Sequence, residues 1–90
     1  VLLGQWRHGL AVASRAAARL GRPLRTIDLG GGLGIPYFAG DGTLDLAAVR
    51  AGLPELIALK AADPLIRDAH VLVEPGRYLV GTSGVYLASV

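Results

Sequence analysis

The chain reads as an α/β protein organised around a parallel sheet, and three observations carry that reading. Two short apolar runs, Leu24 to Leu29 and His70 to Glu74, each end in a glycine-rich or polar signature. The segments before and between them repeat apolar residues at three- and four-residue steps, the spacing of a helix with one buried face. Strand, helix and strand together take roughly 45 residues per unit, which fits a parallel pair joined by a right-handed helical crossover.

Taken in order, Gln5 to Leu20 is predicted to be a helix. Trp6, Leu10, Ala13, Ala17 and Leu20 form its stripe, while Ser14, Arg15 and Arg19 fall off it. Gly21 is placed as a left-handed stop, and Pro23 forbids continuation. Leu24 to Leu29 is the first strand. Ile35 to Thr43, with Pro36, Gly40, Asp41 and Gly42, is a loop. Thr43 is expected to cap the next helix, with Asp45 in its first turn. That helix runs from Leu44 to about Ala62 and carries Leu46, Val49, Leu53, Leu56, Ile57 and Lys60. Gly52 and Pro54 predict a kink or a split within it. Asp63-Pro64 ends it, and Leu65 to Asp68 connects it to the second strand, His70 to Glu74. A short helical turn over Arg77 to Thr82 and a third strand over Val85 to Val90 complete the expected elements.

Composition narrows the classes. Hydrophobic residues make up 52% of the 90 positions, rich for so short a chain. It opens in Val1-Leu2-Leu3 and closes in Val85-Tyr86-Leu87-Ala88-Ser89-Val90, so a fragment of a larger domain is expected. The formal net charge is +2, but eight scattered arginines and a single lysine form no basic run, which argues against nucleic acid as a partner. No apolar stretch reaches the roughly 20 residues that span a bilayer as a helix, so no membrane partner is expected. The absence of cysteine excludes a disulfide scaffold and a thiolate metal site within these residues, and fits a reducing compartment. His8 has no second ligand at helical spacing and reads as a surface or partly buried imidazole.

The candidate chemistry lies in two stretches. Gly30-Gly31-Gly32 follows the first strand, and three glycines in a row are costly unless the backbone must turn tightly or expose its N–H groups to a close ligand, most often an oxyanion. Glu74-Pro75-Gly76-Arg77 follows the second strand. Ligands of parallel α/β sheets bind at the carboxyl ends of strands, so both stretches are expected on one face. Arg77 suits a phosphate or carboxylate. A buried Glu74 needs a cationic partner, either a protonated heterocyclic nitrogen or Arg77 itself. Other phosphate motifs fail on spacing: a dinucleotide fingerprint from Gly30 would need glycine or alanine where Ile35 stands, and no Gly-Lys-Ser/Thr follows the glycines. Gly81-Thr82-Ser83-Gly84 is one residue short of a nucleophile elbow.

Together, Leu29-Gly-Gly-Gly-Leu-Gly-Ile-Pro-Tyr37 and Glu74-Pro-Gly-Arg77 resemble the pyridoxal-phosphate-dependent decarboxylases of the alanine-racemase fold, the group of the diaminopimelate, ornithine and arginine decarboxylases. The Gly-Ile-Pro-Tyr continuation is more similar to the diaminopimelate decarboxylases and their carrier-linked relatives. The resemblance implies a (β/α)8 barrel, of which residues 1–90 would be a later part with two to three strands. It implies pyridoxal 5'-phosphate as cofactor, with its phosphate on Gly30, Gly31 and Gly32 and its pyridine nitrogen on Glu74. Pro75 and Gly76 would complete that loop, and Arg77 would touch phosphate or substrate carboxylate. The implied protein is a cytoplasmic homodimer acting on a small amino acid, free or carrier-linked. The family's Schiff-base lysine and catalytic cysteine have no counterpart here, and Lys60, in helical periodicity, is expected to face solvent. These 90 residues alone are therefore expected to be inactive. A cofactor-binding homologue without turnover is the alternative. A barrel for another phosphorylated metabolite would keep the glycines and leave Glu74 without a role.

Overall fold

A computed structural model describes residues 1–90. The order is α1 (Leu2–Leu20), β1 (Thr26–Asp28), α2 (Leu46–Ala62), β2 (His70–Leu72) and α3 (Gly76–Val80). β1 and β2 pair in parallel, with Thr26 opposite His70, Ile27 opposite Val71 and Asp28 opposite Leu72. Backbone bonds continue the pairing at both ends, His70 N–H to the Arg25 carbonyl (2.9 Å) and Leu29 N–H to the Leu72 carbonyl (3.0 Å), and Leu24 N–H donates to the Leu65 carbonyl in the turn before β2 (2.9 Å). The first run, predicted over Leu24 to Leu29, is thus held along its whole length although its regular part is three residues.

α1 forms as its stripe predicts, three residues longer at its start. Leu2, Trp6, Leu10 and Ala17 are buried, whereas Leu20, at the last turn, is exposed and does not extend the stripe. Gly21 takes the left-handed conformation (φ 69°, ψ 24°), and its N–H returns to the helix carbonyls. α1 and α2 pack together, and Leu2, Trp6, Leu10, Ile27, Leu56, Ile66 and Ala69 form one core between helices and sheet. Only 8 of 90 residues are buried, so this seam carries nearly all of the apolar burial. On the surface beside it, Arg7 and Glu55 pair at 2.7 Å, a contact between exposed groups that adds little.

α2 corrects two expectations. Its cap is Asp45, not Thr43: the Asp45 carboxylate accepts the Ala48 N–H at 3.0 Å, and the helix starts two residues later than expected, at Leu46. Nor does it split at Gly52 and Pro54, because one helix runs through both. Proline removes a single helical hydrogen bond. Gly52 has its own reason: a Cβ there would lie 2.3 Å from Leu3 Cδ1, so the glycine is where α1 comes closest. Two further expectations fail. Residues 85–90 pair with no strand and are exposed; a strand exists only through a partner, and the sheet has two strands. Lys60 is half-buried and donates to the Arg67 carbonyl instead of facing solvent. His8 is exposed, in line with the surface reading. No helix is long and apolar enough to cross a membrane.

Asp63 ties α2 to its surroundings. Its carboxylate accepts the Ser14 hydroxyl of α1 and the Leu65 N–H (2.9 Å). These donors, the Ser14 hydroxyl first, hold its pKa below the ordinary 3.8. A carboxyl depressed in the folded state stabilises the fold above its ordinary pKa, and that contribution is lost as pH falls through the folded value. Asp63→Asn is therefore expected to lower the melting temperature at about pH 7. The gap to the parent should narrow between about pH 7 and about pH 2.5, as Asp63 moves toward its protonated form. Circular dichroism melts at the two pH values check this; a gap that stays as wide in acid would mean that packing, not charge, is lost.

Candidate cofactor-binding site

The parallel register delivers the two signatures side by side. Beyond Asp28 and Leu72 the chains stay linked, with the Glu74 N–H donating to the Gly30 carbonyl at 2.8 Å. Both signatures leave the carboxyl ends of their strands, where the sequence placed them. Gly31, Gly32, Leu33, Glu74, Pro75, Gly76 and Arg77 line one cavity of about 200 Å³. Six of the seven predicted site residues are in this wall. Gly30 is not.

Gly30 serves the loop instead. Its N–H donates to the Asp28 carboxylate (2.8 Å) and its carbonyl accepts from Glu74, so Gly30 shapes the turn and holds the second loop. Asp28 is a residue the sequence reading passed over. The signal was present, since an aspartate two residues before a glycine is the pattern of an Asx turn. Gly31 and Gly32 donate their N–H groups to no other group of the chain. Gly32 adopts φ 90°, and at Gly31 a Cβ would sit 2.8 Å from the Glu74 carbonyl oxygen. The close approach of two main chains makes position 31 a glycine. Gly76 N–H is taken by the Glu74 carbonyl (2.9 Å).

The charged pair does not neutralise itself. Glu74 is exposed rather than buried, and neither it nor Arg77 is in an ion pair; the two ion pairs of the chain are Arg7–Glu55 and Arg67–Asp68. The alternative of a plain Glu74–Arg77 ion pair is thus not realised. Arg77 Nη1 donates to the Tyr37 hydroxyl, and its Cζ lies 5.9 Å from the centroid of that ring. Tyr37 belongs to the quoted motif, but its partner stands 40 residues away, and no local pattern announces the contact. In its own loop, the Asp41 carboxylate accepts the N–H groups of Tyr37 (2.8 Å) and Phe38 (2.9 Å), which hold its pKa below the ordinary carboxylate value.

This donor set fits a phosphorylated pyridine. A glycine cradle with free amides suits an oxyanion, an unpaired carboxylate suits a protonated ring nitrogen, and an unpaired guanidinium suits a second anionic group. The tight Gly31–Glu74 approach keeps side chains out of the cradle.

Comparison with known proteins agrees with that chemistry. The sequence model described as "pyridoxal-dependent decarboxylase, pyridoxal binding domain" matches residues 5–81, and the chain belongs to this family. It is 38% identical over 79 residues to a diaminopimelate decarboxylase of Thermoplasma acidophilum, covering 88% of this chain and 18% of that one. Protein TabA of Pseudomonas amygdali pv. tabaci is 42% identical over 81 residues, 90% of this chain and 19% of the relative. An L-glutamyl–acyl-carrier-protein decarboxylase of Niallia circulans is 32% identical over 72 residues, 80% and 17% of the two chains. The chain spans about a fifth of the length of the curated relatives it matches.

Proposed function

We propose that these 90 residues are a later part of a (β/α)8 barrel in a pyridoxal-phosphate-dependent amino-acid decarboxylase, similar to the diaminopimelate decarboxylases, and that they supply its phosphate and ring-nitrogen site. One observation carries the reading: free glycine amides, an unpaired carboxylate and an unpaired guanidinium line a single cavity at the carboxyl ends of two parallel strands. The exposed Val71 and Leu72 of β2, 41% and 50% accessible, support a sheet that further strands continue. The whole protein, on this reading, is a cytoplasmic homodimer, and its substrate is an amino acid, free or carrier-linked.

In that site the N–H groups of Gly31 and Gly32 donate to the cofactor phosphate, and Pro75 and Gly76 shape the facing wall. Glu74 holds a proton on the pyridine nitrogen. Arg77 receives a phosphate oxygen or the substrate carboxylate. When bound, pyridoxal phosphate supplies a ring that takes up the electrons released as carbon dioxide leaves. Holding the ring nitrogen protonated keeps that ring electron-poor, which is the contribution of Glu74. Lys60 has no part in this, being engaged with the Arg67 carbonyl.

The test is carbon dioxide release by the full-length protein with pyridoxal phosphate. The panel holds diaminopimelate, ornithine, lysine, arginine and a carrier-bound glutamyl group. Release from one member is expected, and it names the substrate. Retention of the cofactor with no release from any member would replace the decarboxylase reading with that of a binding protein.

A further inference from the structure

We infer that Tyr37 is a positioning residue, one that holds the Arg77 guanidinium at the glycine-loop cavity before any anion arrives. The inference rests on the reading of Arg77 as an anion-binding group. An exposed arginine has many rotamers, and ordering it only when a ligand binds weakens that ligand. Tyr37 removes this difficulty through its hydroxyl, which accepts from Arg77 Nη1 and holds the guanidinium at the edge of the ring, with Cζ 5.9 Å from the centroid. One of the five guanidinium N–H groups is engaged there, and the others stay available. No carboxylate pairs with Arg77, so its charge is not neutralised.

Packing does not explain Tyr37, whose surface is 62% exposed. Its place is fixed through the main chain instead. Asp41 grips the Tyr37 and Phe38 N–H groups at 2.8 and 2.9 Å, and Ile35, two residues before Tyr37, meets Gly81 at the end of α3, where a Cβ would be 2.5 Å from Ile35 Cδ1. The loop is therefore held on both sides of Tyr37, and Arg77 bonds to the hydroxyl it presents.

The test compares Arg77→Ala, Tyr37→Phe and the double variant in the full-length protein. Pyridoxal phosphate and pyridoxal are titrated against the apoprotein by equilibrium dialysis. Succinate, a dicarboxylate probe, is titrated calorimetrically against the cofactor-loaded protein. Arg77→Ala is expected to weaken pyridoxal phosphate or succinate by about tenfold or more, the scale of a charge-assisted hydrogen bond. Tyr37→Phe should weaken the same anion by about fivefold and leave pyridoxal unchanged, and it should add nothing in the Arg77→Ala background. A merely structural role would weaken pyridoxal too, or add fully in the double variant, and either result overturns the inference. Unaltered anion binding in Tyr37→Phe, with Arg77→Ala impaired, overturns it while sparing Arg77. If Arg77→Ala leaves both anions untouched, the anion-binding reading of Arg77 fails, and the positioning role with it.

Discussion

Gly31→Val in the full-length protein is expected to weaken pyridoxal phosphate binding by about 100-fold or more, the upper end of what overpacking a close contact costs. The Cβ position at residue 31 is 2.8 Å from the Glu74 carbonyl oxygen, a backbone atom that no rotamer change can move aside. Relief must come from parting the two loops. That motion strains the Glu74 N–H to Gly30 carbonyl bond at 2.8 Å and widens the cavity that Gly31 and Gly32 line. Gly34→Ala is the control, since a Cβ there meets nothing within 4 Å, and its affinity should match the parent. Equilibrium dialysis measures both, with circular dichroism to establish that each variant is folded. Parental affinity in Gly31→Val would mean that the phosphate is held elsewhere.

Glu74→Gln is expected to lower kcat by about 100-fold or more, the scale reported for removing one electrostatic stabiliser from a reaction site. Glutamine keeps the shape and loses the charge, so it no longer holds a proton on the ring nitrogen. Glu74 has no ion-pair partner in the chain, so its loss leaves no buried charge behind and folding should be unaffected. Cofactor affinity should fall far less than kcat, by about tenfold at most, because the phosphate grip is intact. Steady-state kinetics beside a cofactor titration separates the two. Full turnover in the variant would favour a barrel for another phosphorylated ligand.

Local chemistry made much of this legible. The α1 stripe, the Gly21 stop and the two apolar runs each follow from residues that are neighbours in sequence, and so does the convergence of the two signatures once the strands are parallel. What depended on partners was not legible. Pro54 looked like a break because proline weakens any helix locally, yet α2 continues through it against α1. Thr43 and Asp45 are both good caps, and only the loop path selects Asp45. Residues 85–90 have the composition of a strand but no neighbour to pair with. Glu74 was weighed as a charge that burial would force onto a cationic partner; the chain turns at Pro75 and leaves it in the open. Gly30 looked equivalent to its neighbours until Asp28 claimed its N–H. The Tyr37–Arg77 contact spans the whole crossover and belongs to tertiary structure alone.

The link from Glu74 N–H to the Gly30 carbonyl has one more effect. It welds the glycine loop to the carboxylate-bearing loop through main chain, so the span between them is a property of the ladder and not of any side chain. Such a gauge is insensitive to what decorates the strands: a valine exchanged for isoleucine in β2 leaves the spacing where it was. Only changes to the backbone's own reach, a Cβ at 31 or a proline at 74 in place of the donor N–H, can reset it. On the proposed reading, such a cradle is a fixed-length fitting for a cofactor of fixed length, and the freedom to accommodate different substrates falls to the side chains around it.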